Sequence, residues 1–427
     1  MRRWRSKEPW LSDFMDPLQI NARRKQLLVH VALHPPGAMG ACALGFLILF
    51  GRFAWGGESC VSLGDLGGVG DGKTDNSPIF QKAFNAGAEV IRVPAGDFAV
   101  SGLVAPAGTT IEGCGARSTL KPTANTLGNL LRLSDGCTLA HIRLCGFGAK
   151  MRGIYASHAD GIDVRDVTVE DFDGPAIDID HVENMVVEGC AVTKAQRGIN
   201  ITFSQEIAIR NNIVKDCTDH GMEFWGNWKW QKREAFDLQF IGNRVTNGGR
   251  GAIWGSGAER VLMSQNIVNG AEDVGLDLEW CTDSVIEGNI VIGAKNAGIA
   301  LFFACEQVVI AGNTIAYSDP GSGPVQPGVS GSNRWKPSAI WLTDPNRSIF
   351  PQDKGHRNIA ITGNSIRCNA PDRGGIWIGA ESEQVALSGN AVGGGGIWHG
   401  RSGSEPDNLT GAAQDITIRN DSQSTNQ

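Results

Sequence analysis

An asparagine recurs along this chain about every 23 residues, each time flanked by small or apolar residues. A fixed period of roughly 20–50 residues is typical of solenoids, in which each repeat forms one coil that stacks on its neighbours. The period also sets a register, because a position identified on one coil identifies its counterpart on every other coil. The series consists of Asn212, Asn243, Asn266, Asn289, Asn313, Asn364 and Asn390, with Cys190 in the slot before Asn212.

Each repeat contains three short runs with period-two alternation, for example 298–302, 307–310 and 313–315. Such alternation predicts strands, and the Gly and Asn residues between the runs predict turns. Asn accepts left-handed backbone angles and its amide bonds to nearby backbone, so it suits a tight bend repeated on every coil. Three short parallel strands per coil predict an all-β fold, a single-stranded right-handed parallel β-helix.

The segment before the repeats supports the same fold. Residues 69–76 read Val-Gly-Asp-Gly-Lys-Thr-Asp-Asn, residues 77–84 predict a short amphipathic helix, and residues 89–98 contain Val-Pro-Ala-Gly. Together with the repeats, these motifs resemble the pectate-lyase superfamily over about residues 62–400. The resemblance implies a β-helix with an N-terminal capping helix. It implies no single reaction, because hydrolases, lyases, epimerases and non-enzymatic spike proteins share the fold.

The chain divides into four predicted segments. Residues 1–60 combine a basic stretch with a short apolar run, which we interpret as an export signal of a secreted or periplasmic protein. A membrane anchor or a wrongly assigned start is the alternative, and any membrane contact is expected only through this segment. Residues 61–125 are predicted to cap the β-helix, 126–400 to form its coils, and 401–427 to form a polar tail.

Charge and cysteine content exclude some partners. The net charge is −7 and no sizeable basic patch exists, so we expect no nucleic-acid partner. The ten cysteines show no CxxC pair or disulfide framework, which favours buried free thiols over a zinc site or a disulfide-bonded scaffold.

The first strand of each coil carries the candidate site. Two predicted outward columns, called here the outer columns, lie two residues apart and share one surface because side chains alternate along a strand. They contain carboxylates and tryptophans but no Lys or Arg, and apolar rings on such a face suggest a sugar-binding groove. Longer links between coils at 225–236, 317–338 and 343–358 adjoin this face. The predicted substrate-binding residues are Asp178, Asp180, Asn200, His220, Trp225, Trp228, Trp230, Trp254, Trp341 and Trp377.

Three carboxylates are the predicted catalytic residues. Glu223 and Asp277 are separated by the single coil that carries Trp254, so their Cα atoms are expected about 10 Å apart, and Glu279 follows two residues after Asp277. This spacing suits the pair of carboxyl groups of an inverting glycosidase, and clustering raises proton affinity. Two alternatives stay open: a solvated acidic ladder, or a Ca²⁺ site that includes Asn200. No other cofactor is expected.

The predicted function is an exported polysaccharide-active protein, with a glycoside hydrolase favoured. Motifs that the resemblance associates with polygalacturonases and mannuronan epimerases are absent, and no Lys or Arg base lies in the outer columns. A polysaccharide lyase or epimerase is the enzymatic alternative. A non-catalytic glycan-binding or adhesin-like solenoid is the alternative from a different class.

Overall fold

Parallel strands stack into three sheets that wind through about 13 turns. The computed structural model describes residues 59–227, 232–317, 338–343, 353–368, 374–400, 407–409 and 415–418. Within these residues most coils contribute one strand to each sheet, and strands on successive coils pair in parallel except for two short strands near the C-terminus. The predicted parallel β-helix is confirmed.

The three sheets are named here by their order within a coil. The first sheet contains Leu103–Ala105, Asn129–Leu133, His220–Trp225, Gly251–Ser256, Val274–Glu279, Ala297–Phe302, Ser338–Leu342, Gly374–Gly379 and Ile397–Gly400. The second contains Cys60–Ser62, Val90–Arg92, Thr110–Glu112, Thr138–Ala140, Gln205–Arg210, Ala235–Ile241, Ala258–Ser264, Thr282–Glu287, Glu306–Ala311, Arg357–Thr362 and Glu383–Ser388. The third contains Asp71–Asp75, Gly96–Val100, Ser118–Pro122, Arg143–Ala149, Ile213–Lys215, Arg244–Thr246, Ile267–Ala271, Ile290–Ala294, Thr314–Tyr317, Ser365–Cys368 and Ala391–Gly393.

Three longer strands, Arg152–Arg165, Thr168–Glu188 and Ala191–Thr202, run around corners and so belong to more than one sheet. The sequence predicts three separate short runs per coil. In these coils the runs join, because a single left-handed residue such as His158 or His181 turns the chain without interrupting the pairing.

The asparagine series forms a buried ladder at the bend before the third sheet. The Nδ2 atom of Asn243 donates to Oδ1 of Asn266 at 3.0 Å, and the backbone N–H of Asn243 donates to the same oxygen. Asn266 repeats this pattern toward Asn289. In the first slot the backbone N–H of Cys190 donates to Oδ1 of Asn212. The amides from Asn212 to Asn364 therefore bond to the coils on both sides, as the period predicts, and Asn390 ends the ladder with bonds to the preceding coil.

The solenoid interior is apolar. The inward column of the first sheet is completely buried, as the alternation predicts, and consists of Ile154, Ile177, Ile199, Met222, Ile253, Leu276, Ile299, Ile340 and Ile376. Nine cysteines lie among the described residues, all of them free, and Cys190, Cys281 and Cys305 are buried. The prediction of buried free thiols is confirmed at these positions.

A helix spans Ser77–Asn85 and buries Phe80, Ala83 and Phe84. Asn76 precedes it, but its side chain bonds to Val69 and Thr74 instead of capping the helix N-terminus. The capping of the solenoid by this helix stays a prediction.

Parts of the two ends of the chain can be placed. Asp407–Asn408 and Asp415–Ile418 pair antiparallel with the last strands of the first and second sheets, so these parts of the predicted polar tail cover a sheet edge. The predicted export signal lies outside the described residues except at its last two positions. Within the described part of the chain, no helix has the length and apolarity needed to cross a membrane.

Candidate active site

Strand register places the outer columns as the sequence predicts. Glu223 lies opposite Trp254 on the next coil, and the pairing of Gly251 with Val274 and of Ser256 with Glu279 places Trp254 opposite Asp277. The complete outer column is Tyr155, Asp178, Asn200, Glu223, Trp254, Asp277, Ala300, Trp341, Trp377 and Trp398. The register deduced from the asparagine period is therefore right.

The same columns are far less exposed than a solvated groove would be. Trp341 and Trp377 retain only 5% and 1% of their accessible surface, and they form a second apolar cluster with Val274, Ala297 and Ala300. Sequence reasoning expected these rings to face water or sugar. Their burial instead gives them a packing role within this cluster, where Phe302 also contacts Trp341 edge-on.

A third column, three residues before the column that contains Asn200 and Glu223, supplies the cations that the outer columns lack. Arg197 and His220 are paired in register, and Arg152 holds the corresponding position two coils before Arg197. Arg152 forms an ion pair with Asp178, and Arg197 Nε lies 2.7 Å from Glu223 Oε2. Sequence reasoning missed this pairing. The sequence feature that could have revealed it is the identical separation of 26 residues between the arginine and the carboxylate in both pairs. At this separation the two side chains meet diagonally on successive coils.

Glu223 is buried among polar partners. Its side chain is 1% exposed, and the indole N–H of Trp225 donates to its Oε1. Nδ1 of His220 lies 3.5 Å from Glu223 Oε2 and 3.3 Å from Asp219 Oδ1, and Arg197 also bonds to Asp219. Two carboxylates thus converge on one arginine and one imidazole.

This convergence sets the protonation of His220. Burial lowers the pKa of His220, but the hydrogen bonds and negative charges of Asp219 and Glu223 outweigh it, so the pKa is raised. Burial in turn raises the pKa of Asp219, and His220 and Arg197 together lower it to about 2. The imidazole therefore favours its charged form between these carboxylates.

Asp277 and Glu279 lie in a contrasting environment. Asp277 is 1% exposed, and among the described residues neither of its carboxylate oxygens has a well-aligned hydrogen bond, although the side chain of Trp254 lies close enough to oppose the rise of its pKa. Burial, reinforced by Glu279 and Asp273, raises the pKa of Asp277 well above its usual range. Burial also raises the pKa of Glu279 to about 8, although the charges of His220 and Arg250 oppose that rise. The pair therefore keeps a proton at neutral pH.

A cavity of about 120 Å³ brings these groups together. It is lined by His220, Arg250, Gly251, Trp254, Asp273, Val274, Asp277, Glu279, Phe302 and Phe303. The imidazole of His220 stacks on Trp254 with ring centroids 4.7 Å apart. A Cβ atom at Gly251 would lie 3.0 Å from the His220 ring, so the glycine leaves room for this stack.

Four of the predicted site residues line this cavity: His220, Trp254, Asp277 and Glu279. Trp225 contacts Trp254 edge-on next to the cavity, with ring centroids 5.1 Å apart. Glu223 lies against His220 but does not line the cavity. The predicted site did not include Arg250, Asp273, Phe302 and Phe303, although Phe302 lies in the same outer column as Glu279. Arg250 and Asp273 lie in the bends just before first-sheet strands, where the sequence shows no alternating pattern that would reveal them.

The remaining predicted residues lie elsewhere or outside the description. Asn200 donates to Asp178 at 2.7 Å, and Asp180 bonds to His181 and Thr202, so these residues form a separate polar group on earlier coils. Trp228 and Trp230 lie outside the described residues.

Ligand geometry bears on the predicted Ca²⁺ alternative. Two groups in the described part of the chain bring three ligand atoms within 4.8 Å of one another: His158 with Asp180 and His181, and Asp219 with His220 and Glu223. Neither contains Asp277 or Glu279, and a Ca²⁺ site that includes Asn200 stays a prediction. The carboxylates of the second group are already paired with Arg197, so these residues do not suit a Ca²⁺ ion, which prefers several unpaired oxygen ligands.

The family description "Right handed beta helix region" matches residues 109–228 and 233–333, more than half of the chain. The chain belongs to this right-handed β-helix family. Solved structures of the same pectate-lyase-like architecture superpose over most of its length. Among curated proteins, none matches the chain in sequence.

Three similar structures illustrate the range of this architecture. The A-module of mannuronan C-5 epimerase AlgE6 from Azotobacter vinelandii is 16% identical, with a TM-score of 0.62 over 81% of this chain and 100% of its own. PfbA, a surface adhesin of Streptococcus pneumoniae, is 14% identical, with a TM-score of 0.63 over 84% and 100%. DFA-IIIase from Arthrobacter chlorophenolicus A6 without its lid is 12% identical, with a TM-score of 0.61 over 79% and 99%. At these identities the similarity shows the fold alone.

Proposed function

We propose that this protein is an exported glycoside hydrolase that acts on a polysaccharide in the cavity beside Trp254. The observation that carries the proposal is the coexistence of Asp277 and Glu279, whose pKa values are raised, with aromatic rings on one small cavity. Aromatic faces suit the apolar faces of sugar rings, and a carboxyl group that is protonated at neutral pH is the usual acid of glycoside hydrolysis.

The pair supplies both proton-transfer roles. When it holds one proton, the protonated carboxyl gives that proton to the glycosidic oxygen as the bond from the anomeric carbon to that oxygen breaks. The ionised carboxylate takes a proton from the water that attacks the anomeric carbon, so the pair ends with the same number of protons. Asp277 and Glu279 are two residues apart on one strand, and because side chains alternate between faces, both point to the same face.

Glu223 receives a positioning role in this proposal. Its ion pair with Arg197 and its burial keep it behind His220, whose ring borders the cavity. A charged His220 beside the cavity stabilises negative charge on the carboxylate pair during the reaction. The sequence-based prediction of Glu223 as a direct acid or base is therefore replaced by an action through His220.

Turnover of a polysaccharide panel tests the proposal. Wild-type protein is expected to release reducing ends from at least one polymer, and Asp277→Asn and Glu279→Gln are each expected to lower turnover by about 100-fold or more. Glu287→Gln is the matched control, because Glu287 is an exposed glutamate on the second sheet. Turnover that survives both cavity substitutions would contradict the assignment.

The same panel separates the alternatives. Products that absorb in the ultraviolet without water uptake would indicate a lyase, and an altered sugar configuration without chain cleavage would indicate an epimerase. Binding without any turnover would favour a glycan-binding solenoid. That outcome is a real alternative, because the similar structures include an adhesin as well as enzymes.

A further inference from the structure

Two histidines occupy equivalent positions on neighbouring coils, at the corner where the first sheet ends. Register pairs Ser157 with Asp180 and Ala159 with Val182, which places His158 beside His181. Both have left-handed backbones with φ of 51°, and their rings stack with centroids 4.6 Å apart and planes 9° apart. The corner therefore presents two imidazoles in one fixed orientation.

The carboxylate of Asp180 lies next to both rings. Nδ1 of His181 lies 2.8 Å from Asp180 Oδ1. The hydroxyl of Ser157 links the other ring to the same carboxylate, at 2.9 Å from His158 Nδ1 and 3.3 Å from Asp180 Oδ2. One ligand atom from each of His158, Asp180 and His181 lies within 4.8 Å of the other two.

We propose that His158, Asp180 and His181 bind a divalent transition-metal ion of the Zn²⁺ type. Two imidazole nitrogens and one carboxylate oxygen are a zinc donor set, and water completes the coordination at an open position. Imidazole ligands disfavour Ca²⁺ and Mg²⁺, which prefer oxygen. The ion would take the place of the proton shared between His181 and Asp180, so its binding releases protons at low pH.

Surrounding groups hold the ligands in place. The hydroxyls of Ser157 and Thr202 donate to opposite oxygens of Asp180, an arrangement that orients a metal-binding carboxylate. His158 and His181 are exposed, which gives an ion access from solvent. The group of Asp219, His220 and Glu223 is a poorer candidate, because Arg197 already neutralises its carboxylates. The proposed metal site is independent of the cavity beside Trp254.

Zn²⁺ titration of chelator-treated full-length protein, followed by calorimetry, tests the site. Wild type is expected to bind a single equivalent, and His158→Asn and His181→Asn are expected to lose it. Asn is chosen because it tolerates the left-handed backbone at these positions. His141→Asn is the matched control: His141 also has φ of 50° and faces one carboxylate, Asp166 at 3.6 Å, but has no second histidine beside it.

Two further measurements make the result decisive. Ser157→Ala is expected to weaken Zn²⁺ binding by roughly 10–100-fold by removing a group that orients the ligands. Co²⁺ should give the visible absorption of a four-coordinate ion in wild type and not in His181→Asn. The proposal is overturned if wild type binds no Zn²⁺, or if the equivalent survives both histidine substitutions and disappears in His220→Gln, which would place the ion at the other group.

Discussion

Arg197 reaches diagonally across one coil to Glu223, with Nε 2.7 Å from Oε2. The glutamate side chain is 1% exposed, whereas the arginine is 28% exposed. This ion pair therefore neutralises the buried charge of Glu223, for which the outer columns themselves supply no Lys or Arg. His220 lies against the same carboxylate, so the pair also sets the electrostatics of the imidazole that borders the cavity.

Removing the arginine is expected to destabilise the protein strongly. In Arg197→Met the buried charge of Glu223 loses its nearest cation and is left with the imidazole of His220 at 3.5 Å, and breaking a buried ion pair costs about 3–5 kcal/mol. Urea denaturation followed by circular dichroism measures the change. Arg260→Met is the control, because the pair of Arg260 with Asp237 is exposed and such pairs contribute about 1 kcal/mol or less.

A double substitution checks the cause. Adding Glu223→Gln to Arg197→Met removes the buried charge that lost its nearest cation, so the double variant should recover much of the lost stability. Equal losses in Arg197→Met and Arg260→Met would contradict the importance assigned to the buried pair.

Glu279 is expected to make stability depend on pH. Burial raises its pKa to about 8 in the folded chain, from 4.5 in the unfolded chain. Above the unfolded value the unfolded chain loses its proton first, so the contribution of this group is fully present below about pH 4.5 and is lost as pH rises toward 8. Glu279→Gln should therefore stabilise the protein at pH 8 and change little at pH 4.5. Thermal melts of both proteins across this range measure the difference, and parallel curves would contradict the raised pKa.

The asparagine ladder is expected to contribute to stability at each rung. Asn266→Ala removes the oxygen that accepts from the backbone N–H and from Nδ2 of Asn243. It also removes the Nδ2 group that donates to the carbonyl oxygen of Phe240, and all of these groups are buried. Each buried polar group left without a partner costs about 1–3 kcal/mol. Chemical denaturation should show a loss of that order, and Asn125→Ala, at an exposed turn, should show almost none. A small loss at Asn266 would mean that water replaces the missing amide.

The fold and much of the site register follow from the sequence, because a stacked coil repeats one local pattern. That pattern correctly places Glu223, Trp254 and Asp277 in a single column. It does not reveal diagonal contacts such as Arg197 to Glu223, which depend on side-chain reach between columns. It also does not reveal burial: an outward position such as Trp377 becomes buried within the second apolar cluster.

Two tryptophans of the same column are therefore expected to respond differently to truncation. Trp254 is partly exposed and lines the cavity, whereas Trp377 is 1% exposed inside the second apolar cluster. Trp377→Ala should destabilise the protein by about 3–5 kcal/mol, as large-to-small changes in a core do. At saturating polysaccharide, the Trp377→Ala molecules that remain folded should have the turnover rate of wild type.

Trp254→Ala should instead weaken polysaccharide binding by about tenfold, which corresponds to about 1.4 kcal/mol. It removes both the ring that we propose to face the sugar and the stack with His220. Trp254→Phe keeps an aromatic face at this position and should recover part of the affinity. Affinity electrophoresis on polysaccharide gels compares the three variants with wild type. If Trp377→Ala loses binding while its stability is unchanged, the buried ring contacts the glycan after all, and the groove extends further along the column than the cavity does.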